Sequence, residues 1–450
     1  MARGDGMFTR IHLKNFRSFG DLTIDLSEKN GNAKKVAVIY GENGAGKSNL
    51  SSAFVLLREL ASTMNVRDMY EELLNQKAIF ADENMETLMR QKIKLGMRDM
   101  QAIIDDYRMA GNNEPISVEY EFILSGHMGK YCVSLGKDEV IYERLEFLLN
   151  KRKGTYFECS SAGISINPGI LKSKDLLKDI KGTAKRFWGK HTLIAIFIHE
   201  LMDKSNSYGL DNVLENFNSV LAFLSSPSCY VKIGSRRWDK LVSDLDVLES
   251  ADIGEINASD ERQLDVAEEI FSSFFSSINS DIRRVYYRRT PNDKTIRYEL
   301  VVEKMISGQY RHVDFSREST GNHQVLRVLC YLLTACMGDV VIIDEADSAV
   351  HDYLFKKVFD EVTPYIRGQV IMTTHNTMLM EYESARDTTY ILSEDDLGNK
   401  TVRAISDYEK RTYLNNNIRN KYLNNDYGGL PKVTPIDFES IIGHIHSVET

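Results

Sequence analysis

The sequence predicts an α/β fold, and three observations carry that prediction. A β-branched run at residues 34–40 enters a glycine-rich turn and is followed by an amphipathic stretch at residues 49–62, which is the order strand, loop, helix. Apolar runs at residues 340–343 and 370–372 predict buried strands of an α/β sheet. From residue 116 to 166 the apolar period changes to two, which predicts antiparallel strands joined by glycine turns.

Composition and charge narrow the class of protein. The chain has 450 residues, 42% hydrophobic and 27% charged, which is enough apolar material for a substantial core. No apolar run reaches the ~20 residues of a membrane span, and the N-terminus lacks the apolar region of a signal peptide. The five cysteines form no CxxC pair, so neither a zinc ribbon nor a disulfide framework is indicated, and we expect a cytoplasmic protein. A net charge of -9 argues against wholesale coating of nucleic acid but leaves a local basic groove open.

The periodicity divides the chain into three segments. Residues 1–160 are predicted to form the N-terminal part of a nucleotide-binding head, with the glycine-rich turn and the antiparallel strands. Residues 161–282 read as an inserted helical lobe, because apolar residues recur there at helical spacing. Residues 283–450 return to strands and are predicted to complete the head. No heptad pattern is sustained, so no long coiled-coil arm is expected.

The glycine-rich turn fits the P-loop pattern G-x-x-x-x-G-K-[ST]. In such a loop, backbone N–H groups and the following helix N-terminus cradle phosphates. Lys47 is expected to reach the β- and γ-phosphates of ATP, and Ser48 to ligate Mg²⁺. The alternative, a glycine-rich turn without a ligand, is disfavoured by the strand before it and the helix after it. The predicted nucleotide-binding residues are Gly41, Asn43, Gly44, Ala45, Gly46, Lys47, Ser48 and Asn49.

The apolar strand at residues 340–343 ends in two acids. A buried strand that delivers carboxylates at its C-terminal end suits the ligand crevice of an α/β sheet. Asp344 is expected to hold Mg²⁺, and Glu345 to polarise the attacking water as general base. This pattern is weak alone and gains its meaning from the P-loop upstream.

Two further motifs flank the acidic strand. Ser319 and Gly321 precede a strongly apolar helix, where a hydroxyl, flexible amides and the helix dipole form an anion site. A simple N-cap gives the same pattern, and the position about 24 residues before the acids favours the anion site. His375 follows the strand after the acidic one, where an imidazole can sense a γ-phosphate and act in catalysis.

In this order the motifs resemble the ABC-type ATPases of the SMC, RecF and OLD group. The opening segment LKNFRSFGDL also looks like theirs, and the resemblance implies that Asn15 and Arg17 lie near the nucleotide. More closely, SRESTGNHQVL, IIDEADSAVH, TTHN and the tail NIRNKYLNNDYGGLP resemble the AAA15 branch. That branch includes ATPase subunits of bacterial anti-phage and abortive-infection systems such as Septu and AbiL.

The resemblance implies an ABC-type P-loop NTPase head with an antiparallel β subdomain and an inserted helical lobe. It implies that ATP is sandwiched in a head-to-tail dimer or a higher multiple, each P-loop facing Ser319 and Gly321 of the partner. It further implies a separate effector, a nuclease or toxin. No membrane partner is expected, because the chain has no apolar run of membrane-spanning length. The motif is Ser-Thr-Gly rather than LSGGQ. No Q-loop glutamine is assigned, and Gln76 and Gln91 are two candidates for it.

A freestanding RecF-like DNA-repair or DNA-clamping ATPase is the alternative reading. Its support is the basic stretch at residues 283–289, where Tyr286 and Tyr287 interleave with four arginines in a mix that suits phosphate contacts and base stacking. A solvated strand face or an acidic partner surface explains the same stretch. The acidic residues 394–396 are predicted to be a hairpin turn rather than a nuclease centre, so any nuclease is expected on another chain.

Overall fold

The computed structural model describes residues 6–77, 98–149, 151–203, 212–234, 236–381, 385–408, 417–431 and 434–446. The strands, in chain order, are β1 (Gly6–Phe16), β2 (Phe19–Asp25), β3 (Val36–Tyr40), β4 (Ile116–Leu124), β5 (His127–Leu135), β6 (Val140–Leu149), β7 (Arg152–Ser160), β8 (Gly163–Ile166), β9 (Ser228–Ile233), β10 (Arg236–Lys240), β11 (Ile253–Asn257), β12 (Ile282–Asn292), β13 (Thr295–Ile306), β14 (Gln309–Asp314), β15 (Val340–Ile343), β16 (Gln369–Thr373), β17 (Thr389–Glu394) and β18 (Lys400–Ala404). The helices are α1 (Lys47–Lys77), α2 (Met100–Tyr107), α3 (Lys174–Phe187), α4 (Leu193–Asp203), α5 (Glu215–Ser225), α6 (Arg262–Ile278), α7 (Thr320–Met337), α8 (Asp352–Val362), α9 (Ala385–Thr388), α10 (Ile405–Tyr408), α11 (Ile418–Leu423) and α12 (Phe438–His446).

A central, mostly parallel sheet has the geometry of an α/β fold. Its strand order is β10-β9-β15-β16-β3-β17-β18. The five inner strands are parallel, and the antiparallel hairpins β9–β10 and β17–β18 close its two edges. The carboxyl ends of β3, β15 and β16 meet at one edge, which is where ligands bind in such sheets. The α/β prediction is confirmed.

Strands of the N-terminal half form a seven-stranded antiparallel sheet, in the order β2-β1-β4-β5-β6-β7-β8. Burial alternates along its strands, and in β4 every second residue is buried. The period-two pattern of the sequence therefore corresponds to a sheet with one face in the core. A second antiparallel sheet, β11 to β14, lies in the C-terminal half, where α6 packs on β12.

The inserted helical lobe is smaller than residues 161–282. The helices α3, α4 and α5 are inserted between β8 and β9, and α4 and α5 pack on α1. The rest of the predicted lobe contributes β9 to the central sheet and α6 to the second antiparallel sheet. Periodicity missed β9 because its buried residues are consecutive, and a short apolar run does not separate strand from helix.

Helix α1 runs through the core instead of lying on its surface. Residues 50–57 are all buried, so the amphipathic pattern expected there is wrong for the first turns. The helix contacts α4 and α5 on one side and strands β9 and β16 of the central sheet on another. The P-loop at its N-terminus is therefore anchored in the core. Among the described residues, no helix has the length and apolar character to cross a membrane.

Candidate functional site

The P-loop, residues 41–48, joins β3 to α1. Gly44 and Gly46 have φ angles of +86° and +110°, in the region that glycine adopts without cost. A Cβ on Gly46 would lie 2.9 Å from the Phe19 ring, and one on Gly41 would lie 2.6 Å from the Leu392 carbonyl oxygen. Glycine is thus required at these positions by backbone conformation and by close approach of the neighbouring strands.

Lys47 is held inside the loop. Its side chain is buried, and its Nζ donates hydrogen bonds to the carbonyl oxygens of Gly41 at 2.8 Å and Glu42 at 3.0 Å. Burial lowers the pKa of Lys47, and the nearby charges of Asp344 and Glu345 oppose that shift. The structure thus brings the P-loop lysine and both strand-end acids of the sequence prediction into one site.

Asp344 lies at the end of β15 and is only 3% exposed. Its Oδ1 accepts a hydrogen bond of 2.6 Å from the Thr373 hydroxyl, whereas its Oδ2 is buried without a hydrogen-bond partner. Burial raises the pKa of Asp344, and the hydroxyls of Thr373 and Ser48 counteract this effect. A buried carboxylate oxygen without a donor is costly, so this site favours a cation beside Ser48.

Glu345 follows in a strained backbone conformation. Its φ is +50°, which is uncommon for a residue other than glycine. Its backbone N–H donates to the Thr373 hydroxyl oxygen at 2.8 Å, and its side chain is half-buried. Strain of this kind persists where the surrounding structure holds it, and such residues cluster at functional sites.

His375 lies at the carboxyl end of β16 with an exposed side chain. Partial desolvation and the charge of Lys47 lower the pKa of His375, so the imidazole is neutral at neutral pH. The surrounding segment is fixed to β3, because the Tyr40 hydroxyl donates to the Asn376 carbonyl oxygen at 2.9 Å. His375 therefore belongs to the same site as Lys47, as the sequence predicts.

Ser319 and Gly321 begin α7. The Ser319 hydroxyl accepts a hydrogen bond of 3.2 Å from the Asn322 N–H, so Ser319 is an N-cap, and its side chain is exposed. A Cβ on Gly321 would lie 2.9 Å from the carbonyl oxygen of Ala349, in the segment after the acidic strand. The contacts of the two residues thus lie within their own helix and with the segment after Glu345.

The side chains of Asn15 and Arg17 contact residues 106–115. Asn15 donates to the Pro115 carbonyl oxygen at 3.1 Å, and Arg17 pairs with Asp106 at 3.2 Å. Ser18 is the neighbour that reaches the P-loop helix: its hydroxyl accepts a 2.7 Å hydrogen bond from the Asn49 amide. The turn after β1 therefore abuts the nucleotide loop through a residue that the motif comparison did not single out.

Several residues of the site were missed by sequence reasoning. The Tyr230 hydroxyl donates to Gln324 Oε1 at 2.8 Å, and the Gln324 amide lies 3.5 Å from the carbonyl oxygen of Ala346. A small cavity beside this chain of contacts is lined by Lys232, Arg237, Asp344 and Glu345, among others. These residues could not be predicted as part of the site because β9 was not recognised as a strand of the central sheet. The side chains of Gln76 and Gln91 lie outside the described residues.

Two family profiles match the chain, one over the segment with the P-loop and one over the segment with the acidic strand. The profile of an AAA domain family matches residues 10–57, which end just after the P-loop. A second AAA domain family, of the AbiEii toxin type from type IV toxin–antitoxin systems, matches residues 174–381, which contain the Ser-x-Gly motif, the acidic strand and His375. A comparison with curated proteins gave no match.

Among solved structures, the chain is similar to heads of SMC proteins. An SMC head bound to the C-terminal winged-helix domain of ScpA is 14% identical, with 90% of this chain and 100% of that chain covered and a TM-score of 0.46. The SMC head domain from Thermotoga maritima is 17% identical, with coverages of 88% and 98% and a TM-score of 0.37. An SMC head from Pyrococcus furiosus, with an extended coiled coil and the C-terminal domain of ScpA, is 14% identical, with coverages of 90% and 98% and a TM-score of 0.40.

Proposed function

We propose that the chain is an ATP-binding and ATP-hydrolysing protein that works with Mg²⁺ as a dimer and regulates a separate effector in bacterial anti-phage defence. The observation that carries the ATPase proposal is the meeting of Lys47, Ser48, Asp344, Glu345 and His375 at one edge of the central sheet. The AAA domain profiles that match residues 10–57 and 174–381 support this proposal.

The donor set fits Mg²⁺. Asp344 offers a buried oxygen that lacks a hydrogen-bond donor, and Ser48 lies beside the same carboxylate. A carboxylate and a hydroxyl are the protein ligands that Mg²⁺ takes beside water and phosphate oxygens. When bound, Mg²⁺ supplies charge neutralisation at the β- and γ-phosphates.

Each of the chain's own groups has a role in hydrolysis. The P-loop amides and Lys47 bind the phosphates, with the ammonium moving from the carbonyls of Gly41 and Glu42 to phosphate oxygens. Glu345 takes the proton of the attacking water, and its fixed backbone orients the carboxylate for this step. The neutral imidazole of His375 donates a hydrogen bond to the γ-phosphate and thereby distinguishes ATP from ADP.

The first test replaces the proposed base. Glu345→Gln keeps the side-chain volume but cannot accept the proton, so hydrolysis is expected to fall by at least about a hundred-fold while ATP stays bound. We expect the variant to accumulate as an ATP-dependent dimer, measured as the mass in solution with and without ATP. Lys47→Ala serves as the reference, because it removes the phosphate cation and should abolish nucleotide binding. A Glu345→Gln protein that hydrolyses ATP at the wild-type rate contradicts the assignment.

The dimer proposal rests on the exposure of the Ser-x-Gly motif. Ser319 is exposed at the N-terminus of an 18-residue helix, and that dipole end is a favourable place for a phosphate from a second copy. Head-to-tail pairing would place the P-loop of one copy against Ser319 and Gly321 of the other. In that arrangement each nucleotide touches both copies, so ATP binding and association are linked.

Arginines of the basic stretch at residues 283–289 form ion pairs with acidic residues of the same chain. This pairing supports a separate protein effector. Arg284 pairs with Glu303 at 2.7 Å and Arg288 with Asp314 at 2.8 Å. Arg289 pairs with three acids, Glu261, Asp265 and Glu268. Arginines that already pair with acidic residues of their own sheet and helix leave less net positive charge on this face for phosphates, which favours a protein partner over a DNA clamp.

A co-expression experiment separates the effector proposal from the DNA alternative. The Glu345→Gln protein would be expressed alone and beside its genomic neighbour, and the mass of the assembly measured with and without ATP. An assembly that contains the neighbour is expected, and would direct the search for chemistry to that second chain. A neighbour-free dimer that forms with ATP and then holds DNA in a salt-dependent manner would favour the repair-clamp reading.

A further inference from the structure

A lysine from the C-terminal part of the chain contacts the tip of the P-loop. Lys400 is the first residue of β18, in the hairpin that closes the central sheet next to β3. Its Nζ donates a hydrogen bond of 3.0 Å to the Gly44 carbonyl oxygen. Glu394, at the end of β17, lies 3.5 Å from the same ammonium, and the Lys400 side chain is only 9% exposed. The ammonium is therefore held in place between the hairpin and the loop.

The position of this contact matters because of the peptide that it touches. The Gly44 carbonyl belongs to the same planar, trans peptide as the Ala45 N–H, so the two groups point in opposite directions. In the structure the Ala45 N–H donates to the Glu42 carbonyl oxygen at 3.3 Å, on the side of the peptide opposite Lys400. A cation on the carbonyl side draws electron density from the peptide and strengthens the Ala45 N–H as a donor.

Gly44 also needs an anchor. It is exposed, its φ is +86°, and a Cβ there would meet nothing within 4 Å, so the surrounding side chains do not confine it. A glycine in open space loses more conformational freedom on ordering than any other residue. Lys400 fixes the orientation of the Gly44 peptide before a ligand arrives and thereby reduces the entropy cost of binding.

We propose that Lys400 is a positioning residue for the phosphates of a nucleoside triphosphate, acting through the Gly44 peptide of the P-loop. The inference rests on the proposed function of the site and adds a residue from outside its motifs. Lys400 contributes to nucleotide affinity and not to the proton transfer at Glu345. The hairpin β17–β18 consequently becomes part of the nucleotide site, although it follows the P-loop by about 350 residues in the chain.

The test compares Lys400→Met with Lys400→Arg in the full chain. Methionine keeps much of the apolar stem and loses the charge, so the Gly44 peptide must be ordered when ATP binds and ATP affinity is expected to fall about ten-fold. The turnover number at saturating ATP should stay within about two-fold, because Lys400 does not touch the reacting atoms. Arginine retains a donor and the charge and should recover most of the affinity. The measurements are a titration with ATP and Mg²⁺ and steady-state kinetics.

A matched control removes a positive charge from the same strand. Arg403 is exposed on β18, and Arg403→Met should bind ATP with wild-type affinity if the effect comes from the Gly44 contact instead of the net charge. Thermal unfolding of all variants checks that the hairpin is intact. Equal ATP affinity of Lys400→Met and the wild type, or equal losses in Lys400→Met and Arg403→Met, would overturn the inference. A wild-type protein that binds no nucleotide, like Lys47→Ala, would instead contradict the proposed function itself.

Discussion

A single hydroxyl contacts both acidic residues of the site, the carboxylate of Asp344 and the backbone N–H of Glu345. Thr373 donates to Asp344 Oδ1 and accepts from the Glu345 N–H, so one side chain orients the acid beside Ser48 and the strained backbone of the proposed base. Thr373 itself is fully buried at the end of β16. Groups that hold a metal-binding carboxylate in place commonly affect activity nearly as much as the ligand does.

Thr373→Val should separate this role from packing. The substitution keeps the shape and removes both hydrogen bonds, so we expect a turnover number lower by about 10–100-fold. Stability should fall by about 1–3 kcal/mol, because a buried N–H and a carboxylate lose their partner. The measurements are ATPase kinetics and denaturant unfolding.

Thr374→Val is the matched control for that experiment. Thr374 is equally buried, and its hydroxyl accepts from the Asn376 N–H at 3.0 Å instead of contacting the acids. Its turnover should remain close to that of the wild type. Similar losses of turnover in the two variants would mean that Thr373 acts through general packing of the strand end.

Single residues were predictable where the chemistry is local in sequence. The P-loop and the acids Asp344 and Glu345 directly follow apolar runs in the sequence. Such runs predict a buried strand that ends at these residues. The role of Thr373 was not predictable, because it depends on β15 and β16 being adjacent, and the residue lies 28 positions beyond Glu345. Ser18 was missed for a similar reason: its partner Asn49 lies 31 positions away.

At the level of elements, a buried carboxylate ties the antiparallel sheet to the helical lobe. Glu143 in β6 accepts hydrogen bonds from the N–H groups of Leu193 at 2.6 Å and Ile194 at 3.2 Å, at the start of α4. Tyr131 and Trp188 donate to the same carboxylate. Burial raises the pKa of Glu143 to about 7, although these donors counteract the shift.

This pKa predicts a particular dependence of stability on pH. In the folded state the Glu143 carboxyl keeps its proton up to about pH 7, whereas in the unfolded state it releases the proton near its ordinary pKa of 4.5. The contribution of Glu143 to stability therefore falls as pH rises between these values. The loss is on the order of 3 kcal/mol and is complete above the upper value. In Glu143→Gln this decrease of the free energy of unfolding with pH should disappear, as measured by denaturant unfolding between about pH 5 and about pH 8.

Glu121→Gln on the same sheet serves as the comparison for that experiment, since Glu121 is half-buried and pairs with Lys130. Its unfolding free energy should follow the wild-type pH curve. If Glu143→Gln also follows the wild-type curve, the carboxylate titrates alike in both states and the pKa assignment is wrong.

Elements with a strong period were predicted, and short buried ones were not. Strands β4 to β6 alternate between core and solvent, so their pattern was visible. Strand β9 shows four consecutive buried residues, and α1 is buried around its whole first part, so neither displays the face that periodicity detects. Both lie where the central sheet and the antiparallel sheet share one core.

At the level of the whole molecule, the N-terminal segment with the P-loop and the C-terminal segment with the acidic strand both contribute strands to one sheet. Strand β3, which leads into the P-loop, lies between β16 and β17 of the C-terminal half. Gln369 strengthens this arrangement, because its amide donates to the carbonyl oxygens of Phe8 and Lys34 at 2.8 Å each. The nucleotide site therefore depends on long-range pairing, whereas the exposed Ser-x-Gly motif needs a second molecule under the proposed function.

Ser319→Arg tests that second molecule. A bulky cation at the exposed N-terminus of α7 should leave ATP binding by the monomer within about two-fold of the wild type, because Ser319 does not belong to its own P-loop site. It should prevent the ATP-dependent dimer and reduce hydrolysis at least about ten-fold. Light scattering with and without ATP, in the Glu345→Gln background, measures the association.

Ser276→Arg, on the exposed surface of α6, provides the matched control and should dimerise normally. Normal ATP-dependent dimerisation of Ser319→Arg would contradict the sandwich arrangement while leaving the ATPase assignment intact.

The interleaving of β3 has a consequence for synthesis of the chain. While a ribosome makes the protein from its N-terminus, β3 and the P-loop emerge early, but the strands on either side of β3 begin only at residues 369 and 389. Until then the apolar residues of β3 have no neighbouring strand, and such unpaired edges are prone to aggregate. The nascent chain therefore cannot complete a nucleotide pocket before most of its length has been translated, and the early segment needs protection by a chaperone or by its own antiparallel sheet during that interval.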